Sequence, residues 1–258
     1  MAPQKQRFGG TQRLYGVEQT EKLKQAHFCV VGIGGVGSWA AECLARTAVG
    51  QITLIDLDDI CTTNINRQIH ADQQTVGEAK VDVMAARISA INPECKVHCI
   101  EDFVTQENLK EYITQNFDYV IDAIDSVPAK AALIAYCKRN KIRIITTGGA
   151  GGQVDPSKIT YTDLSKTIQD PLAAKLRSQL RRFHNFSQNS QRRFGVECVF
   201  STEQLRYPQA DGEVSFQKPK DIGSTKLDCS SGFGASVAVT ASFGFIAASR
   251  AINKFLAL

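Results

Sequence analysis

HFCVVGIGGVGSWAAECLARTAVGQITLIDLDDI, residues 27–60, decides the fold. It opens on the apolar run Phe28-Cys29-Val30-Val31, of the kind a strand buried on both faces of a parallel sheet shows. Gly32, Gly34 and Gly37 follow in G-x-G-x-x-G spacing. From about Val36 onward, Ala40, Ala41, Leu44, Ala45 and Ala48 recur at the spacing of one helical face. A second apolar run, Ile52 to Ile55, ends on Asp56, 24 positions after Gly32. A βαβ unit brings the end of its second strand back beside the glycine loop at about that distance. Glycines let phosphate oxygens approach backbone N–H groups, a helix N-terminus favours negative charge, and the acid can hold ribose hydroxyls. The expected ligand is therefore an adenine nucleotide. On this stretch alone a nicotinamide dehydrogenase is the default enzyme, and a glycine turn without a ligand is the bland alternative. The strand and helix on either side of the loop disfavour the second.

Outward from this unit the pattern repeats. Residues 1–16 are polar and read as a mobile arm carrying Arg13-Leu14-Tyr15-Gly16, followed by a short helix over Val17–Ala26. Beyond Asp56 and Asp58, the polar segment 61–68 reads as a loop or short helical crossing. Helices are expected over 76–91, 106–115 and 127–139, and strands over 95–100, 117–123 and 142–147. Strands alternating with helices predict an α/β, Rossmann-like, doubly wound and mostly parallel sheet. Gly148-Gly149-Ala150-Gly151-Gly152 then breaks the period. A single domain over 1–258 is expected, with residues 1–152 as its nucleotide-binding core and 153–258 as an irregular extension. In that extension a helix starts at Asp170-Pro171, with Leu172, Leu176, Leu180 and Phe183 as its apolar stripe. Short strands are expected over 158–162, 196–200 and 213–216, a loop-rich stretch over 208–231, and a last helix over 232–256.

The chain has 258 residues, 43% of them apolar and 22% charged, with a formal charge of +4. That balance fits an ordinary globular protein and is too mild to imply nucleic acid by itself. Local clustering says more. Lys175, Arg177, Arg181, Arg182, Arg192 and Arg193 fall in a 19-residue stretch without an acid, a pattern that favours RNA over a solvated face. The eight cysteines include no CxxC pair, so reduced thiols in a cytoplasmic protein are expected in preference to disulfides or zinc. The N-terminal stretch has no apolar core of a secretory signal. Ser230–Ser249 carries no charge over 20 residues. That is nearly enough to span a bilayer, yet three glycines and several Ser and Thr favour a helix buried in protein.

Further features do not suit a dehydrogenase. Asn64, Arg67 and Gln68 follow Asp56 closely, Val76-Gly77-x-x-Lys80-Val81 comes next, and Asp122-x-x-Asp125 ends the fourth strand. Together with Arg13, this set resembles the ubiquitin-activating-like adenylating enzymes over Arg13 to about Gly152. The resemblance implies ATP binding and attack of a carboxylate on the α-phosphate. It implies that Gly32, Gly34 and Gly37 approach the phosphates, that Asp56 holds the ribose, and that Asp58, Asn64 and Gln68 complete the nucleotide site. Arg67 and Lys80 would neutralise the triphosphate, and Asp125 would hold Mg²⁺. It further implies a homodimer in which Arg13 reaches the other subunit's ATP.

Family members that activate sulfur-carrier or ubiquitin-like proteins usually carry paired CxxC zinc motifs or a catalytic cysteine domain; this chain has neither. Its QRLYG, NINRQIHA, TTGGAGGQVDPSKI and KLRSQLRRF stretches instead resemble the tRNA threonylcarbamoyladenosine dehydratases. That resemblance implies ATP-dependent ring closure on the modified adenosine beside the anticodon. A tRNA carrying threonylcarbamoyladenosine is the implied partner, held by the basic stretch 175–193. Two rival readings are an activator of a sulfur carrier, working with a cysteine desulfurase system, and a non-catalytic scaffold delivering sulfur or tRNA. Cys229 bears on both. It follows Asp228 near the expected start of the last helix, and is read first as a structural thiol and second as a persulfide or thioester carrier.

Overall fold

The computed structural model describes residues 4–209, 211–218 and 233–258. Cys229 and most of the polar stretch before the last helix lie outside the described residues. In chain order the main elements are α1 (Gln4–Arg7), α2 (Gly9–Tyr15), α3 (Val17–Gln25), β1 (His27–Val31), α4 (Gly37–Arg46), β2 (Gln51–Ile55), α5 (Lys80–Ile91), β3 (Lys96–Ile100) and α6 (Leu109–Tyr112). They continue with β4 (Tyr119–Asp122), α7 (Val127–Arg139), β5 (Ile144–Thr147), β6 (Ile159–Asp163), α8 (Pro171–Phe183), β7 (Glu197–Ser201), β8 (Tyr207–Pro208), β9 (Val214–Ser215) and α9 (Val237–Leu256). Seven strands form one sheet in the order β3-β2-β1-β4-β5-β7-β6, and β8 and β9 form a small hairpin pair. Every pairing in the large sheet is parallel except that of the edge strand β6 with β7. The strand order reverses direction between β1 and β4. That is the switch point outside whose carboxyl ends ligands bind in such sheets.

Two apolar layers cover the sheet. One packs α3, α4, α5 and α9 against Phe28, Val30, Ile52, Leu54 and Ile121. The other packs α6, α7 and α8 against Cys29, Val31, Ile55, Val120 and Ile144. Alternate residues of β1 thus enter opposite layers, which is why the run reads as continuously apolar. Ala40, Ala41, Leu44, Ala45 and Ala48 are all fully buried, as the spacing predicts. Helix α9, which holds most of the uncharged C-terminal run, lies against α4, with Val239, Phe243, Ala247, Ala251 and Ile252 buried. Gly244 sits so close to Val36 and Trp39 that a Cβ would collide with the Val36 carbonyl oxygen. Among the described residues no helix is long and apolar enough to cross a membrane.

Several expected boundaries move. The 76–91 helix begins only at Lys80, because Gly77 takes φ +94° and donates its N–H to Ile60 O at 2.8 Å. Ile60 in turn donates to Glu78 O at 2.9 Å, so residues 76–79 pair with the chain after β2 instead of coiling. The 106–115 helix shrinks to Leu109–Tyr112 because the Asn108 side chain takes over the preceding backbone. It accepts from Thr105 N at 2.8 Å and donates to Phe103 O at 2.8 Å. Such side-chain bonds compete with helix formation. The last helix starts at Val237. The N-terminal segment, expected as a mobile arm, is helical over Gly9–Tyr15 and docked: Phe8 is buried and Arg7 Nη1 donates to Ile91 O at 2.7 Å. Phe183, expected on the buried stripe of α8 with Leu172, Leu176 and Leu180, is 58% exposed while the three leucines are buried.

Candidate nucleotide-binding site

The loop after β1 is built by contacts that exclude a side chain at two of its three spaced glycines. Gly32 has φ +84°, and a Cβ there would stand 2.8 Å from Ala123 O. A Cβ on Gly37 would collide with the Gly32 carbonyl oxygen, so α4 starts tight against the strand end. At Gly34 a Cβ would meet nothing nearer than Gln68 Nε2 at 3.9 Å. The middle glycine thus faces open space, where a phosphate can approach the backbone. This loop, the ends of β2, β4 and β5, and residues 62–68 line one cleft of about 1960 Å³.

Asp56 ends β2 within the cleft. Its carboxylate accepts the Ile33 N–H of the glycine loop and, at 2.9 Å, the Asp58 N–H. Burial pushes the Asp56 carboxyl up, while Lys80 and the two N–H bonds pull it back down. Lys80 Nζ lies 2.7 Å from Asp58 Oδ2 and 3.9 Å from Asp56 Oδ1. The ammonium is buried, whereas the Asp58 side chain is 54% exposed. The irregular start of α5 serves this geometry: Lys80 N donates to Asp58 O at 3.1 Å, fixing the first helical residue beside β2.

Residues 62–68 close one side of the cleft. Asn64 is buried, and its Oδ1 caps the turn by accepting from Cys61 N at 3.1 Å. Arg67 donates through Nη1 to Thr63 O at 2.7 Å and to Asn66 Oδ1 at 2.9 Å. Its aliphatic stem passes Gly35, where a Cβ would stand 3.3 Å from Arg67 Cδ. Gln68 is buried, and its Oε1 has no hydrogen-bond partner among the described residues. A buried amide oxygen beside Gly34 without a partner costs free energy unless a ligand supplies one.

The opposite side is carried by the β4–α7 turn, where Asp125 lines the cleft and is exposed. Among the described residues no group of three acids, histidines or cysteines could hold a metal without help from a ligand. Beneath the turn lies a buried network that the sequence reading missed. Lys130 and Asp122 are both fully buried, with Nζ 3.0 Å from Asp122 Oδ1. Lys130 also donates to Ile124 O at 2.9 Å, tying down the turn that presents Asp125. Thr146 Oγ1 donates to Asp122 Oδ2 at 2.7 Å. Asp170 caps α8 through Ala173 N at 2.8 Å and holds Gly149 N at 3.0 Å, which ties the glycine-rich loop after β5 to the start of α8. Burial pushes both the Asp122 and the Asp170 carboxyls up. The signal for Lys130 was available: it is the one charge in VPAKAALIAYC, a helical stretch apolar on all sides.

The remaining expected residues fall elsewhere. Arg13 is exposed on α2 and does not line the cleft of its own chain. The basic stretch divides by helical face. Lys175 and Arg182 are exposed, Arg182 standing over the Phe183 ring at 5.0 Å. Arg177 is half-buried and donates to Thr167 Oγ1, and Arg181 stands 5.3 Å over the Phe194 ring. Arg192 and Arg193 are exposed beyond the helix.

Comparison with known proteins matches this architecture closely. The model of the ThiF family matches residues 10–256. The tRNA threonylcarbamoyladenosine dehydratase of Escherichia coli K12 is 60% identical over 98% of this chain and 94% of its own length. The structure of the E. coli tRNA N6-threonylcarbamoyladenosine dehydratase in complex with ATP superposes with a TM-score of 0.88 at 57% identity, covering 98% of this chain and 95% of that one. The structure in complex with AMP gives 0.87 at 57% identity, with the same coverage.

Proposed function

The chain belongs to the ThiF family, and from that premise we propose that it is an ATP-dependent tRNA threonylcarbamoyladenosine dehydratase. The observation that carries this is the single cleft joining the glycine loop, the Asp56–Lys80–Asp58 group, Arg67 and Asp125. ATP is the nucleotide that fits the premise, since the structures of the 57% identical E. coli enzyme hold ATP and AMP.

A free carboxylate is a poor electrophile. The threonyl carboxylate of the modified adenosine attacks the α-phosphorus of ATP and expels pyrophosphate, giving a mixed anhydride with AMP. A nucleophile in the same modified side chain then attacks the activated acyl carbon, and AMP leaves with the former carboxylate oxygen. The ring closes with net loss of one water from the nucleoside. Because the nucleophile is tethered, its effective concentration is high and no protein nucleophile is needed. A thiol-bearing sulfur partner is likewise unnecessary for this route.

Each side chain has a physical task. The Gly32 and Ile33 N–H groups are taken by Ile55 O and the Asp56 carboxylate, and those from Gly34 to Gly37 face the phosphates. Asp56 holds the ribose hydroxyls, keeping lone pairs free beyond its two backbone bonds. Asn64 and Gln68 contact the nucleotide, and Gln68 Oε1 gains the partner it lacks. Lys80, oriented by Asp58, and Arg67 neutralise charge at the α-phosphate as attack proceeds. Mg²⁺ carried on the phosphates would add further neutralisation of charge. Asp125 would hold it, one carboxylate with phosphate oxygens and water being a usual set for that ion. Arg13 is supplied by a second copy of the chain in a homodimer, and the tRNA substrate assigns the work to the cytoplasm.

The test is pyrophosphate release with purified tRNA bearing threonylcarbamoyladenosine. Wild type should release it only with that RNA, and Asp125→Asn should bind ATP yet turn over at least tenfold more slowly. Equal release on adding a Gly-Gly-terminated carrier protein in place of RNA would replace the dehydratase with a carrier activator.

A further inference from the structure

The nucleotide cleft does not end at the phosphate loops. Its lining continues from Asp125 along α7 over Pro128, Ala129 and Ala132, and reaches Arg139 and the end of α8 at Phe183. From Pro128 to Arg139 the helix rises roughly 16 Å, room for roughly four stacked nucleotides at about 3.4 Å each. The floor of small side chains leaves this groove open.

Its two walls differ in charge. The wall after β3 carries Asp102, whose carboxylate accepts from Tyr112 Oη and Phe103 N, each at 2.7 Å. Those bonds hold it below the usual carboxylate range, so this wall repels phosphate. The α8 wall presents Gln179 and Phe183. At 100° per residue Lys175 and Arg182 share that face, and both are exposed with no ion-pair partner among the described residues. Phe183 is the residue that the apolar stripe of α8 predicts as buried and the fold leaves 58% exposed. With the Arg182 guanidinium over its ring it offers a flat, cation-backed surface. A strand with stacked bases and a charged backbone suits such a groove, because aromatic faces take bases while cations track phosphates.

We propose that this groove binds the single-stranded RNA flanking the reacting nucleotide, with phosphates along Lys175 and Arg182 and a base stacked on Phe183. The assignment rests on the dehydratase reading and extends it to how the substrate is positioned. The probe is an unmodified anticodon stem-loop RNA, its binding followed by fluorescence anisotropy over a range of salt. Phe183→Ala and Phe183→Leu should each weaken binding by about 5- to 150-fold, as loss of one stacked base does, without changing the salt slope. Phe183→Trp should restore it. ATP binding, measured by calorimetry with ATP alone, should be the same in all four proteins and certifies folding. If Phe183→Ala binds the RNA as wild type does, the groove assignment is overturned and the dehydratase reading stands. If wild type binds ATP but no RNA, the RNA reading of the site itself fails, and the groove becomes a protein-docking surface.

Discussion

Lys130 shows at the scale of one residue how much the cleft depends on a side chain that touches no ligand. A fully buried ammonium compensates the Asp122 carboxylate and ties down the Asp125 turn. Removing one partner of a buried pair leaves the other charge unpaired. Lys130→Met should therefore destabilise the protein by about 3–5 kcal/mol in urea unfolding. Adding Asp122→Asn should recover much of that, and a loss under about 1 kcal/mol in the single variant would deny the pair its role. His70 makes a second prediction at this scale. Burial first, then Lys80 and Arg87, lower its pKa from 6.5 to about 4. Neither ring nitrogen has a hydrogen-bond partner among the described residues. The unfolded chain binds the proton first as pH falls, so stability is fully present above about 6.5 and drains away between there and about 4. The whole effect is on the order of 3 kcal/mol. His70→Phe should flatten the stability–pH curve over that window, and an unchanged slope would contradict the assignment.

At the scale of elements, α8 carries the next prediction. Its cations are not equivalent: Arg177 and Arg181 hold residues outside the helix, whereas among the described residues Arg182 contacts only the ring of its neighbour Phe183 and Lys175 has no hydrogen-bond or ion-pair partner. Lys175→Gln and Arg182→Gln should each lower the salt slope of RNA binding by roughly 0.7 to 0.9. Arg177→Gln and Arg181→Gln should lower the melting temperature more than the slope. Equal slope losses from all four would make the helix a uniform charged face. The sequence does not reveal this split, because composition shows six basic residues without an acid and says nothing of which way each points. What periodicity does reveal is the βαβ core: β1 and β2 match their expected spans to within a residue, and α4 starts where expected but ends at Arg46, short of Ala48, which takes φ 65°. It fails where local chemistry competes with the helix, as at Gly77, with its positive φ, and at Asn108, whose side chain takes the backbone bonds. The glycine fingerprint marks the loop that lines one side of the cleft. The Lys130–Asp122 pair and the Asp170 bond to Gly149 are not legible in the periodicity, because they form only once β4 turns into α7 and α8 packs beside the loop after β5.

At the scale of the whole molecule, only Arg13 of the set Arg13, Arg67, Lys80 and Asp125 is missing from the lining of the cleft in its own chain. It lies on α2. In a symmetric dimer each site would borrow Arg13 from the other subunit, as an arginine finger given in trans. Arg13→Ala and Asp125→Asn proteins should each be nearly inactive alone. After mixing and subunit exchange about half the dimers are heterodimers, each with one site that keeps both residues, so activity should return to roughly a quarter of wild type. Verified exchange without recovery would mean that Arg13 acts in its own subunit or not at all. The claim on which the rest depends is the chemistry itself, and mass analysis of nucleosides reads it directly. Purified tRNA bearing threonylcarbamoyladenosine is incubated with the protein and ATP, digested under conditions that preserve the ring, and its modified nucleoside weighed. The account predicts a nucleoside lighter by one water, formed only with ATP and in step with AMP. AMP formation with the nucleoside mass unchanged would contradict it.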